Sequence, residues 1–84
     1  MDDCIVVLCT VPKGETGPSI ARGLVEGSLA ACVNIIPGVS SYFRWEGKTT
    51  VEEEDLLVVK TASARYADLE KAILAAHPYE VPEI

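Results

Sequence analysis

The spacing of apolar residues changes between two periods along the chain, which predicts strands and helices in turn. An apolar run rich in β-branched residues, Cys4–Thr10, predicts a strand covered on both faces. After a loop over Val11–Gly17, apolar residues recur at helical spacing and predict a helix over Pro18–Ser28, with Thr16 or Gly17 as its cap. The predicted buried stripe of this helix is Ala21, Leu24, Val25 and Leu29.

The middle of the chain predicts a long β-hairpin. Ala30–Ile36 has the composition of a strand, is interrupted at Pro37-Gly38, and continues over Val39–Trp45. Gly47, between Glu46 and Lys48, can supply the positive φ of a tight turn, and Thr49–Lys60 then predicts the returning strand.

A second helix and a fourth extended segment complete the predicted order. Ser63 is the expected helix cap, and the helix ends at His77-Pro78, because a residue before proline avoids the helical region. Its expected stripe is Tyr66, Leu69, Ile73 and Ala76. Glu80–Ile84 then begins a fourth strand. The resulting order, β-α-β-β-α-β, predicts a single α+β domain over residues 1–84, a ferredoxin-like sandwich.

The predicted hairpin is much longer than the helices that should cover it. A strand of Thr49–Lys60 spans about 40 Å, whereas a helix of Pro18–Ser28 spans about 16 Å. The aromatic residues near its turn, Tyr42, Phe43 and Trp45, should therefore overhang the core and favour pairing with other copies of the chain. The alternative is a hairpin that bends at Pro37-Gly38 and folds back onto its own sheet.

The amino-acid composition indicates which kinds of binding partner and which cellular compartment to expect. Seven Lys and Arg against 13 Asp and Glu give a net charge of −6, which argues against nucleic acid as the main partner. Three cysteines without paired spacing indicate a reducing, cytosolic compartment. We also expect no signal peptide and no membrane span, because Met1 leads directly into Asp2 and Asp3.

Cys9 and His77 are the candidate metal ligands. Cys9 ends the first strand and His77 ends the second helix, and these ends can lie close together in a ferredoxin-like fold. A thiolate with an imidazole suits copper or zinc. The alternative, which spacing alone favours, is that Cys9 belongs to the core and His77 is a cation at a helix end.

Two charged features of the sequence can be explained by contact with solvent, without a bound ion or ligand. The run Glu52–Asp55 is expected to solvate an overhanging strand rather than to share an ion. Lys60 is expected to extend its ammonium into solvent, or else to face a ligand or a carboxylate such as Glu83.

Four sequence blocks together resemble the CutA family of divalent-cation tolerance proteins. In chain order they are Val7-Leu8-Cys9-Thr10, Leu29-Ala30-Ala31-Cys32-Val33-Asn34-Ile35-Ile36-Pro37-Gly38, Tyr42-Phe43-Arg44-Trp45-Glu46-Gly47-Lys48 and His77-Pro78-Tyr79-Glu80-Val81-Pro82-Glu83-Ile84. The resemblance implies a cytosolic homotrimer joined through the long hairpins. It also implies a role in tolerance of divalent cations, copper especially, with no enzymatic step.

The resemblance also implies a ligand set for copper. Cys9 matches the cysteine of the family's first strand, and His77 matches the second histidine of a pair. The first histidine of that pair is Ala76 here, so Glu83 or Cys32 would have to complete the site. The family continues beyond the position of Ile84, so we expect a shortened fourth strand and a lower stability than that of a longer homologue.

Two other functions are compatible with this fold. The first is a small-ligand sensor similar to P-II signalling proteins, with clefts between subunits that use Cys32, Lys60, Tyr79 and Glu83. The second is an enzyme such as an acylphosphatase, which needs an arginine near a phosphate-binding loop. Arg22, the nearest arginine, lies a turn into a helix, so we expect no enzymatic activity.

Overall fold

Two helices and three strands form a small α+β domain in residues 3–84, the part of the chain that the computed structural model describes. The strands are β1 (Cys4–Pro12), β2 (Cys32–Trp45) and β3 (Lys48–Ala62). The helices are α1 (Thr16–Glu26) and α2 (Tyr66–Ala76), and a short 3₁₀ turn, Ser63–Arg65, precedes α2. The predicted β-α-β-β-α part of the order is therefore confirmed. No helix within residues 3–84 is long and apolar enough to cross a membrane.

The sheet has the order β1-β3-β2, and both pairings are antiparallel. Val59, in the central strand, lies opposite Val7 of β1 and Val33 of β2. Leu57 and Val59 are fully buried because both helices pack near the face to which these odd-numbered residues of β3 point. The outer edges of β1 and β2 carry no further strand within the described residues.

Each helix buries only part of its predicted stripe, and the prediction for α2 is wrong at Ala76, which is exposed at the end of the helix. Leu69 and Ile73 of α2 are fully buried, as their spacing predicts. In α1 the buried residues are Gly17, Ile20 and Leu24. The predicted stripe is wrong at Val25, which is exposed. The face of α1 that packs against the sheet is the one that carries Gly17. A Cβ at Gly17 would lie 3.3 Å from Cγ2 of Val11, so this face of the helix is the one in contact.

Neither predicted helix cap is formed. Glu15 occupies the cap position of α1 without a side-chain hydrogen bond. Ser63 begins the 3₁₀ turn instead of capping α2, and its backbone N–H donates to the carbonyl oxygen of Asp3 at 2.8 Å. The backbone at the end of β3 thus binds the start of the chain, a partner that local sequence does not indicate.

The hairpin overhangs the core, as its length predicts. Pairing continues without a fold-back to Trp45 opposite Lys48, and the molecule measures 44 × 23 × 20 Å. A register shift between Ile36 and Val39 accommodates Pro37-Gly38, where the backbone N–H of Gly38 donates to Oδ1 of Asp55 at 3.2 Å. Near the turn, Tyr42 is 73% exposed and Trp45 is 63% exposed. The fold-back alternative is therefore wrong, because the bulge is absorbed within a continuous ladder.

The tail, defined as residues 77–84, has no regular secondary structure. The fourth strand predicted at Glu80–Ile84 is therefore not formed within the described residues. Pro82 has no backbone N–H to donate to a ladder, which disfavours pairing in so short a segment. The tail is held instead by side-chain hydrogen bonds from His77 and Tyr79.

Candidate functional site

His77 ties the start of the tail to the end of β1. It is buried, and its Nε2 lies 2.8 Å from the carbonyl oxygen of Thr10. The backbone N–H of Tyr79 donates to Nδ1 of His77 at 3.1 Å. A ring nitrogen that accepts a hydrogen bond carries no proton, so Nε2 must carry it and donate to Thr10. The two bonds hold the His77 ring between the Thr10 carbonyl and the Tyr79 N–H, with the tautomer that carries a proton on Nε2.

Cys9 meets His77 at the same backbone carbonyl. Its side chain is fully buried, and its Sγ donates to the carbonyl oxygen of Thr10 at 3.6 Å. Burial, with a smaller contribution from the charge of Glu54, raises the pKa of the Cys9 thiol to about 11. The predicted proximity of Cys9 and His77 is therefore observed, with the thiol protonated at neutral pH.

Glu54 and Tyr79 form a second contact between the tail and the sheet. The hydroxyl of Tyr79 donates to Oε2 of Glu54 at 2.6 Å. Desolvation, this hydrogen bond and the charges of Glu54 and Glu52 all raise the pKa of Tyr79. Glu54 is only 6% exposed, and Asp55 is also buried, so the interpretation of this charge run as a solvated segment is wrong for these two residues.

The other predicted site residues do not join this cluster. Glu83 is exposed in the tail. Cys32 and Lys60 are opposite each other on β2 and β3, and both are exposed. Within residues 3–84, no three side chains of His, Cys, Asp or Glu are arranged to hold a metal ion, and Lys60 forms no ion pair with Glu83. Of the predicted metal ligands, Cys9 and His77 are therefore the two that the structure brings together.

An open groove separates the overhanging part of the hairpin from the tail, with a volume of about 830 Å³. Its aromatic lining consists of Tyr42, Phe43, Trp45 and Tyr79. Its charged lining consists of Glu52, Glu54, Glu80, Glu83 and Arg44. We name it the hairpin groove. Sequence reasoning missed this groove, because the path of the tail depends on contacts with residues far away in sequence.

The chain is similar to proteins of one family throughout its length. The family model described as CutA1 divalent ion tolerance protein matches residues 5–84. A divalent-cation tolerance protein CutA of Thermus thermophilus is 51% identical over 79 residues, which cover 94% of this chain and 77% of that protein. A chloroplastic protein CutA of Arabidopsis thaliana is 45% identical over 80 residues, 95% of this chain and 44% of that protein. The chain thus spans less than half the length of the plant relative.

Solved structures have the same fold. A divalent cation tolerance protein from Thermus thermophilus superposes with a TM-score of 0.93 at 48% identity, covering 96% of this chain and 79% of that chain. A PII-like protein CutA from Nostoc superposes with a TM-score of 0.85 at 40% identity, covering 93% and 73%. On these grounds, the chain belongs to the CutA1 divalent ion tolerance protein family.

Proposed function

We propose that this chain is a non-enzymatic, homotrimeric protein of the cytoplasm that binds a metal ion, copper first, in divalent-cation tolerance. The observation that supports the proposal most directly is the meeting of Cys9 and His77 at the carbonyl of Thr10. Membership of a divalent ion tolerance family supports the choice of ligand class. Three free cysteines, Cys4, Cys9 and Cys32, support a reducing compartment.

The Cys9–His77 pair fits a soft or borderline ion better than a hard one. Thiolate and imidazole are ligands of copper and zinc, whereas magnesium and calcium take oxygen. The bond from the Tyr79 N–H to Nδ1 of His77 fixes the ring from the side away from Cys9, as outer hydrogen bonds orient metal-bound histidines. Nε2, which shares the Thr10 carbonyl with the Cys9 thiol, would then be the ligating atom after it leaves that carbonyl, and the Tyr79 N–H on Nδ1 would hold the ring in place. Glu83, which lies in the same tail, is the proposed third ligand.

Copper titration of the purified chain tests this site. We expect Cys9→Ser and His77→Gln each to weaken copper binding by at least about tenfold, because each removes one of few ligands. Glu83→Gln should have a smaller effect, because this side chain is exposed. Calorimetry under reducing conditions would measure the affinities.

Cys32→Ser is the matched control, since it removes an exposed thiol and leaves Cys9 in place. Its isotherm should equal that of the wild type, and circular dichroism should show that all four variants are folded. Identical isotherms for wild type, Cys9→Ser and His77→Gln would remove the proposed site.

The proposed trimer uses the overhanging hairpins. Exposed Tyr42 and Trp45, and the outer edge of β2, which pairs with no strand of residues 3–84, support association through these strands. We expect light scattering to give about three times the 9.0 kDa mass of the chain. Gly38 has a φ of +71°, which proline cannot adopt, and it donates its N–H to Asp55, so Gly38→Pro should distort the hairpin at the bulge and shift the mass downward. A monomeric wild type at micromolar concentration would contradict the trimer.

The ferredoxin-like assignment is also part of the proposal. A β1-β3-β2 order with two helices agrees with three strands of that fold. In the part of the chain that the structure describes, the outer edge of β1 has no partner strand, and a fourth strand would add there.

A P-II-like small-ligand sensor is the second candidate, and similarity to a structure described as PII-like supports it. Its cleft would use Cys32, Lys60 and Tyr79, of which Cys32 and Lys60 lie opposite each other on the sheet. The copper titration distinguishes the two candidates, because this cleft does not require Cys9.

A further inference from the structure

We infer that Tyr79, bound to Glu54, acts as a latch that holds His77 beside the Cys9 thiol and controls access to that thiol from solvent. The latch is defined as Tyr79 together with its acceptor Glu54. The inference rests on the proposed function, since it concerns regulation of the same Cys9–His77 site. Its test uses a thiol reagent and no metal.

The Cys9 thiol is enclosed although an open groove reaches the next residue of the chain. Thr10, Glu54 and Tyr79 line the hairpin groove, whereas Cys9 does not line it in the part of the chain that the structure describes. Cys9 is only 1% exposed. Because the thiol and the imidazole of His77 meet at the carbonyl of Thr10, the route from the groove to the thiol passes His77.

Tyr79 makes two contacts with His77. Its backbone N–H donates to Nδ1 of His77 at 3.1 Å, and the two ring centroids lie 4.5 Å apart with an interplanar angle of 50°. Because these contacts join the same two residues, we expect them to move as one unit. A displacement of Tyr79 would therefore draw Nε2 of His77 away from the Thr10 carbonyl.

The hydroxyl of Tyr79 fixes this unit to the sheet. It donates to Oε2 of Glu54 at 2.6 Å, a short bond typical of an ionised acceptor. Glu54 is buried in β3, between Pro12 of β1 and Val39 of β2, so the acceptor is held by paired strands. The tail itself has no regular secondary structure. Segments of this kind open locally at a lower free energy than the whole domain unfolds, so the hydroxyl bond should set how often the tail opens.

Alkylation of the purified, metal-free protein by iodoacetamide at pH 8 measures this opening. Peptide mass spectrometry follows each cysteine separately, and the chain unfolded in urea gives the unprotected rate of each thiol. We expect Cys9 of the wild type to react far more slowly than in the unfolded chain. Tyr79→Phe should raise the native Cys9 rate by about tenfold, because it keeps the ring but loses a hydrogen bond to a charged acceptor.

Tyr66→Phe is the matched control, because it removes the same kind of bond at the opposite end of α2 from His77. The hydroxyl of Tyr66 donates to Oε2 of Glu70 at 3.1 Å. This variant should leave the Cys9 rate unchanged. Hydrogen exchange gives a second measure, since the backbone N–H at position 79 should exchange faster in Tyr79→Phe and at the wild-type rate in Tyr66→Phe.

Urea below the unfolding transition distinguishes opening of the latch from unfolding of the domain. A local opening exposes little surface, so the Cys9 rate in Tyr79→Phe should change little with urea. Labelling that requires complete unfolding would instead rise with the full urea dependence of the unfolding free energy.

Three results would overturn the inference. One is a native Cys9 rate in the wild type equal to that of the unfolded chain, which would mean that the thiol is not shielded. Another is a Cys9 rate in Tyr79→Phe no faster than that in Tyr66→Phe. The last is a full urea dependence of labelling in Tyr79→Phe. A failure of copper to bind would remove the proposed metal site but would change none of these rates, so the two failures are distinguishable.

Discussion

Replacing Leu69 by alanine is expected to lower the free energy of unfolding by about 2–5 kcal/mol. Leu69 is fully buried in α2 and belongs to the single core between the helices and the sheet. Its removal costs the transfer energy of the side chain and leaves a cavity that a close-packed core fills only in part. A domain of this size has a total stability of only about 5–10 kcal/mol, so a large fraction would be lost. Denaturation by guanidinium chloride, followed by circular dichroism, would measure it.

Leu74→Ala is the matched control, because it makes the same change in the same helix. Leu74 is 49% exposed, so its truncation should change the free energy of unfolding by less than about 0.5–1 kcal/mol. Equal losses for the two variants would contradict the placement of the core. If Leu69→Ala does not fold at all, Leu69→Met gives a smaller perturbation at the same position.

Raising the pH from 8 to 11 is expected to lower the free energy of unfolding of the metal-free chain by about 2 kcal/mol through Cys9. The folded thiol has a pKa of about 11, whereas the unfolded thiol titrates near 9.0. Between these values the unfolded chain loses a proton that the folded chain keeps, which favours unfolding. The stability contributed by this thiol is thus complete below pH 9 and is lost as the pH rises to 11.

Single substitutions test whether the Cys9 thiol causes this loss of stability at high pH. Cys9→Ala should be less stable at pH 8 but should lose less further stability between pH 9 and 11. Cys4→Ala and Cys32→Ala remove exposed thiols and should retain the full pH dependence. Tyr79 acts in the same direction at higher pH, because its pKa is also raised, so Tyr79→Phe separates the two groups. A pH dependence unchanged in Cys9→Ala would contradict the assignment.

The sequence predicted the elements with strong periodicity and missed those set by distant contacts. Leu69 and Ile73 recur at helical spacing, so their burial could be inferred. The buried face of α1 could not, because it depends on how closely Gly17 approaches Val11. Ser63 does not cap α2, because a 3₁₀ turn over Ser63–Arg65 moves the start of the helix to Tyr66.

In the candidate site, too, the features that follow from local sequence were predictable and those set by distant contacts were not. The proximity of Cys9 and His77 was predictable although β1 continues beyond Cys9 to Pro12, because Cys9 lies near the end of β1 and His77 directly follows α2. Burial of Glu54 was not, because alternation along a strand leaves open which carboxylates the tail will cover. Glu54 is flanked by Pro12 of β1 and Val39 of β2 and is covered by Tyr79, whereas Glu52 lies beyond the end of β1 and is exposed.

The bond from His77 to the Thr10 carbonyl joins residues 67 positions apart, which has a consequence during synthesis. At about 5–20 residues per second, a ribosome needs roughly 3–13 s to add the intervening residues. Over that interval the Thr10 carbonyl lacks its imidazole partner, and the thiol of Cys9 lacks the tail. A nascent chain would therefore present this cysteine to oxidants or to metal ions before the finished fold encloses it.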